Sequence, residues 1–114
     1  MTYVLRFLPI IEDDALAGYT WYEEKVHGLG GEFLRIFYAC AREIPRNPLL
    51  CPKVYREFRR RLLRRFPYAI YFRIEDETVI VFGLFHCARD PRTIRAQLAG
   101  PKCAGEPLTK AYSQ

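Results

Sequence analysis

The stretch from Tyr68 to His86, YAIYFRIEDETVIVFGLFH, does most to limit how this chain can fold. Successive side chains of a strand point to opposite faces. In the first half, Tyr68, Ile70, Phe72 and Ile74 therefore share one side, and Ala69, Tyr71, Arg73 and Glu75 share the other. The first side reads as buried and the second as half wet. Asp76-Glu77 breaks the pattern, and Thr78 to His86 is then apolar at nearly every position, as a strand covered on both faces would be. Two such runs joined by a polar pair predict an antiparallel hairpin.

In front of this hairpin lies the densest positive charge of the chain, with arginines at 56, 59, 60, 61, 64 and 65. The segment from Arg42 to Arg73 holds ten basic and two acidic residues, a net +8, whereas the rest of the chain sums to −3. Charge sorted this way creates a local field that attracts polyanions or an acidic partner segment. The expected picture is one curved, arginine-laden β-surface backed by helices. The strand reading over 56–66 turns Phe58, Leu62 and Phe66 inward together with Arg56, Arg60 and Arg64. That clash of character predicts a bulge or turn near Arg60. Pro67, lacking an N–H, marks the corner into the next strand.

A chain of 114 residues is one domain and long enough to bury a core without staples. Half its residues are hydrophobic and 15% aromatic, which excludes a disordered chain. No apolar run approaches the roughly 20 residues that cross a bilayer. The opening MTYVLRFLPIIEDD lacks the basic start and apolar stretch of a secretory signal, so a cytoplasmic protein with no membrane partner is expected. Cys40, Cys51, Cys87 and Cys103 are too few and too irregular for a disulfide framework, and none has the close spacing of a zinc knuckle. They are expected to be reduced, with no metal and no cofactor bound.

A short strand over 3–8 ends at Pro9, and Glu12-Asp13-Asp14 supplies acids for a helix start. Ala15, Tyr19, Tyr22 and Val26 recur at helical spacing with Leu16 beside them. Trp21 and Tyr22 read as part of the same helix–sheet core. Gly28 is placed to close this helix in a left-handed conformation, with His27 as a positive end-cap, and Leu29-Gly30-Gly31 reads as a tight link. A second helix over about 31–44 has a face of Phe33, Phe37, Cys40 or Ala41, and Ile44, and Pro45 and Pro48 stop it. Two amphipathic helices joined so briefly pack as an antiparallel hairpin. Residues 47–52 read as a loop. Beyond His86, Asp90-Pro91-Arg92 sets a cap for a short basic helix ending near Gly100. Residues 1–99 are thus the folded domain and 100–114 a flexible tail.

The expected order is β-α-α-β-β-β with a short C-terminal helix, an α+β two-layer domain with a helical hairpin across an antiparallel sheet. With WYEEKVHGLGGEFL at 21–34 and RRFPYAIYFRIEDETVIVFGLFHCARDP at 64–91, the chain resembles the RelE/ParE superfamily of bacterial toxins from type II toxin–antitoxin pairs, in particular its ParE-like branch. The resemblance implies a growth inhibitor held inactive by a cognate antitoxin, whose C-terminal segment lies over the helical hairpin and sheet. Leu16, Tyr19, Phe33 and Phe37 are the residues expected to meet it.

The family offers two kinds of mechanism. A ParE-like toxin binds DNA gyrase and traps its cleaved-DNA complex, a protein ligand rather than an enzyme. Arg56, Arg59, Arg61, Arg64, Tyr68, Tyr71, Arg89, Arg92 and Arg95 are the expected contacts to a target or polyanion, the last two on the C-terminal helix. A RelE-like toxin instead cuts mRNA on the ribosome. That chemistry needs a base for the 2′-OH, cations for the phosphate and an acid for the leaving oxygen. Here Glu57 would be the base, Arg60, Arg65 and Arg73 the phosphate clamps, and His86 the acid, its ordinary pKa suiting transfer near neutrality. Such enzymes usually carry more lysine at the site and a tyrosine or histidine close to the C-terminus. This chain has only Lys53 in the patch and runs 28 residues past His86. The non-enzymatic reading is the preferred expectation, with the ribonuclease and a toxin fold that has lost its activity as the alternatives.

Overall fold

The structure is a computed structural model that describes residues 3–103, the side chains of 100–103 excepted. Its elements are β1 (Val4–Phe7), α1 (Ile10–Lys25), α2 (Leu29–Glu43), two 3-10 turns (Ile44–Arg46 and Pro48–Leu50), β2 (Lys53–Tyr55), β3 (Phe58–Leu62), β4 (Tyr68–Glu75), β5 (Thr78–His86) and α3 (Pro91–Cys103). The five strands form one sheet in the order β1-β5-β4-β3-β2. The central hairpin pairs Tyr68 with His86 at one end and Glu75 with Thr78 at the other, as the polar break predicts. Asp76 turns it in the left-handed conformation (φ 57°), which aspartate tolerates better than most residues. The sheet is not wholly antiparallel: β1 runs parallel to β5, from Val4 beside Thr78 to Phe7 beside Val81. The parallel pair needs a long crossover, and the helical hairpin is part of that return path.

One face of the sheet meets α1 and α2. Phe33, Phe37, Cys40 and Ala41 of α2 are fully buried against Ile70, Phe72, Val79 and Val81, and Ile11 and Ala15 of α1 join them. Burying each of the three phenylalanines stabilises the fold by about 3 kcal/mol. The face predicted for α2 is thus the one observed, but the stripe on α1 is displaced. It runs through Ile11, Ala15 and Gly18, whereas Leu16 and Val26 are exposed.

The link between the helices is also shifted. The first helix ends at Lys25, Gly28 is left-handed (φ 90°) just before α2, and Gly30 and Gly31 lie inside α2's first turn. Glu23 makes this possible by accepting from the N–H groups of Gly28 and Gly30, both at 2.9 Å. It satisfies two donors that a helix start leaves unpaired. His27, fully exposed, lies 3.2 Å from the same carboxylate.

The second face of the sheet is wet at one end, where Arg73 is half-buried and Glu75 exposed, and covered at the other. Ile94 and Leu98 of α3 close over Ala69, Tyr71, Phe85 and Phe58 in a second small core. A bulge makes room for it: Tyr71 pairs with Gly83 but Phe72 with Val81, so Phe82 is the extra residue. A side chain on Gly83 would meet the Phe85 ring at 2.4 Å, so only glycine fits there.

The strand expected over 56–66 is shorter, Phe58–Leu62, with a turn before it and a bend after it. Arg56 (φ 52°) and Glu57 form the turn between β2 and β3. The break thus falls at Arg56 rather than near Arg60. After Leu62 the chain bends, with Arg65 left-handed (φ 71°) and the Leu63 N–H bonded to the Tyr68 carbonyl at 2.9 Å. The bend turns Leu63 and Phe66 into the core and leaves Leu62 54% exposed, so Phe58 and Phe66 are buried as expected and Leu62 is not. In the 47–52 loop, Pro48–Leu50 is a 3-10 turn. The helix α3 takes in the first residues of the expected tail, and 104–114 lie outside the described residues. Cys40 and Cys51 are buried free thiols and Cys87 an exposed one; the Cys103 side chain is among those not described.

Candidate functional site

Strand alternation splits the arginines between the two faces of the sheet. On the helix side, Arg59 donates to the Cys51 carbonyl at 2.6 Å and the Leu49 carbonyl at 3.4 Å. Arg61 and Arg64 converge on Glu43 at the end of α2, and Arg65 reaches Glu32 at 2.6 Å. Arg35 pairs with Glu32 as well. The hydrogen bond from Arg61 holds the Glu43 carboxyl below its ordinary range, and that from Arg35 does the same for Glu32. These arginines tie the β3–β4 segment to α2, and their charge is answered from within the molecule.

On the opposite face the guanidinium groups rest on aromatic rings. Arg73 lies 4.9 Å from the centre of the Phe82 ring and 5.5 Å from that of Phe58, and it pairs with Glu75. Arg56 and Arg95 sit over one and the same ring, Tyr55, at 5.0 and 5.6 Å. Arg60 stands across from Tyr71. Arg89 lies over Phe85 at 5.5 Å, and Arg92 pairs with Asp90 at 3.4 Å. The expected single arginine surface is therefore two surfaces with different partners. Tyr71 is buried beneath α3, out of reach of the target or polyanion it was expected to contact.

At the end of the central hairpin, His86 packs edge-on against Tyr68, ring centres 5.1 Å apart. Its Nδ1 accepts from the Ala88 N–H at 2.9 Å, which places the imidazole proton on Nε2. Tyr68 also touches Tyr22 and Phe33, and burial pushes its hydroxyl pKa up. Nearby, burial raises Asp14 of α1, opposed by the Leu84 N–H that it accepts at 3.5 Å and by the Arg89 charge.

The residues named for RNA cleavage are not brought together. His86 is level with Tyr68, whereas Arg73 is five residues further along β4 and Glu57 lies past the start of β3, beyond Arg59, which pairs with Phe72. At about 3.3 Å per residue the acid and the base are roughly 20 Å apart. Glu57 is instead exposed and paired with Lys53 at 3.1 Å. Arg65 turns to the helix side while Arg60 and Arg73 keep to the other, so no set of clamps faces one phosphate.

Of the four residues expected to meet an antitoxin, Phe33 and Phe37 are fully buried core residues. Tyr19 is half-buried and Leu16 60% exposed. Leu16 lines a shallow depression on the outer side of α1 with Asp13, Ala17, Thr20, Trp21 and Glu24. Trp21, read from sequence as core, is 54% exposed there, with Lys25 Nζ 4.1 Å from its ring centre. Neighbouring helix positions stand about 100° apart, so Trp21 and Tyr22 do not both face the sheet. That spacing was the available signal. Among the described residues no three His, Cys, Asp or Glu side chains cluster as metal ligands, and no helix is long and apolar enough to cross a membrane.

A parallel β1–β5 pair bridged by a helical hairpin, with three further antiparallel strands and a closing helix, defines the toxin fold class that the sequence motifs resemble. No family model matches the chain. Over 101 residues it is 25% identical to toxin ParE2 of Mycobacterium tuberculosis, covering 88% of this chain and 96% of the relative. Among solved structures it is similar to the chromosomal ParDE toxin–antitoxin system from P. aeruginosa, with TM-score 0.69 and 13% identity over 75% of this chain and 96% of that one. The toxin–antitoxin complex RelBE2 from Mycobacterium tuberculosis gives TM-score 0.55 and 22% identity over 75% of this chain and 99% of the other. The chain shares its fold with chains of these two toxin–antitoxin structures, and its sequence is similar to a ParE2 toxin over most of its length.

Proposed function

We propose that this chain is the toxin of a type II toxin–antitoxin pair, acting in the cytoplasm as a ParE-like ligand of DNA gyrase and silenced by a cognate antitoxin. The likeness to ParE2 over most of both chains supports the toxin reading. The observation that favours a ligand over a nuclease is the sheet register. It sets His86 and Glu57 at opposite ends of the sheet, and one scissile phosphate does not span that distance. Meanwhile α3 is fixed by Ile94 and Leu98 and presents Arg92 and Arg95 outward, a rigid basic ridge suited to a protein target. The exposed Leu16 and Trp21 on α1 offer apolar contact to an antitoxin segment that folds on binding.

Induced expression in bacterial cells tests this reading. Growth is expected to stop while bulk mRNA stays intact, and co-expression of the small reading frame adjoining this gene is expected to restore growth. Rapid mRNA cleavage that disappears in His86→Gln would replace it with the ribosome-dependent nuclease reading.

A further inference from the structure

The second face of the sheet carries positive charge that no carboxylate among the described residues answers. Among the described residues Arg56, Arg60 and Arg95 have no carboxylate within ion-pairing distance, whereas Lys53, Arg73 and Arg92 each have one. Arg56 comes from the β2–β3 turn and Arg95 from α3, two elements far apart in sequence, yet both guanidinium groups lie over Tyr55. Their carbons can be no farther apart than those two ring distances together, about one Debye length at ~0.1 M salt. The like charges repel, and the turn that presents Arg56 is left-handed at that residue (φ 52°).

We propose that Arg56 and Arg95, which share the Tyr55 ring, together with Arg60 on the same face of the sheet, form a binding site for the phosphodiester backbone of a nucleic acid. Charge alone also suits an acidic protein segment, but the rest of the surface does not. A segment that orders on binding needs apolar anchors to offset its lost entropy. Here Phe58, Phe85, Ile94 and Leu98 are buried, the half-exposed Tyr55 is already covered by guanidinium groups, and the exposed Leu62 stands at the far end of β3, four residues from the Phe58 that pairs with Tyr55. The exposed apolar residues of α1, Leu16 and Trp21, belong to the opposite side of the sheet. A nucleic-acid backbone requires only placed positive charge and draws most of its affinity from counterion release. Guanidinium forks held over a ring are also pre-oriented for phosphate oxygens. The site reads no base sequence, and it does not require gyrase to be the target.

Titration of the full-length chain with a 20-base-pair duplex, a single-stranded RNA of equal length and a poly-glutamate peptide, over a range of salt, tests the site. Arg56→Gln/Arg95→Gln is expected to weaken nucleic-acid binding at least tenfold and to lower the salt slope by about 2, one unit per lost phosphate contact. Arg35→Gln/Arg42→Gln, which removes the same charge from α2, is expected to leave both within twofold. Arg56→Lys/Arg95→Lys is expected to restore most of the slope, which separates lost charge from lost packing, and thermal melting confirms that each variant folds. Duplex and RNA arms report whether the backbone taken is double- or single-stranded. Equal losses in the Arg56/Arg95 and Arg35/Arg42 variants would overturn the site, as would poly-glutamate binding more tightly than both nucleic acids. Growth arrest by a protein that fails this test would sink the phosphate site alone and leave the toxin reading standing.

Discussion

Gly18 of α1 lies flat against the ring of Phe33 of α2, so close that a Cβ on Gly18 would stand 2.5 Å from Cε2 of the ring. The contact explains a glycine in mid-helix, where it costs about 1 kcal/mol relative to alanine. On the far side of the pair a Cβ on Gly30 would stand 2.5 Å from the Tyr19 carbonyl oxygen. The hairpin is drawn together by two missing side chains.

Gly18→Ala is accordingly expected to destabilise the protein despite better helix propensity. Phe33 is fully buried and cannot swing away. At 2.5 Å the overlap puts the overpacking cost in the upper part of the usual range, about 2–3 kcal/mol, which less the helix gain of about 1 kcal/mol leaves a net loss of about 1–2 kcal/mol. Urea unfolding of the variant measures it, and an unchanged or raised midpoint would contradict the packing described.

Leu62 and Leu63 are adjacent and chemically identical, but only Leu63 enters the core. Leu63→Ala is expected to cost about 2–4 kcal/mol, and Leu62→Ala no more than about 0.5 kcal/mol. The two unfolding curves decide the register directly. Comparable losses would restore the strand first expected over 56–66.

Acid titration has an expected sign. Glu23, Glu32 and Glu43 all have carboxyl pKa values held down in the folded state, Glu23 chiefly by the Gly28 N–H. A depressed pKa gives stability that is full above the unfolded value of about 4.3 and is lost as pH falls through the folded one. Asp14 acts oppositely: burial raises its pKa, so its penalty is present at neutral pH and fades on acidification. Asp14→Asn is thus expected to be at least as stable as the parent at pH 7 and to lose more stability between pH 7 and pH 4. Unfolding free energies at several pH values test both signs; a shallower acid loss in Asp14→Asn would contradict the assignment.

Glu43 joins α2 to both Arg61 and Arg64. Because the carboxylate is 39% exposed, solvent screening limits the effect of Glu43→Gln to about 0.5–1 kcal/mol. That loss is expected to shrink at high salt, since partly exposed pairs are screened. A loss independent of salt would mean that packing rather than charge is responsible.

The central hairpin and the buried face of α2 were legible because each carries an uninterrupted period, two for Tyr68–Glu75 and near 3.6 from Phe33 to Ile44. What sequence missed depends on contacts between distant segments. Tyr71 reads as half exposed until α3 is known to lie on it, and the bulge at Phe82 is needed to fit Phe85 beside it. The α1 stripe was misplaced because its key position, Gly18, has no side chain to register as apolar. Arg56 resembles its neighbours in composition, and nothing local marks it as a turn residue. The arginines read as one patch because they are adjacent in sequence. Alternation sends Arg59 and Arg61 to the helix side and Arg60 to the other face; acids on α2, remote in the chain, then pair with Arg61, Arg64 and Arg65, while Arg59 donates to backbone carbonyls.

Purified protein incubated with DNA gyrase and supercoiled plasmid is the most direct test of the proposal that this protein works by holding a target rather than by cutting RNA. Linear, protein-linked DNA is expected to accumulate in proportion to the protein added, in wild type and in His86→Gln alike. Supercoiling that proceeds undisturbed at saturating protein would contradict the account.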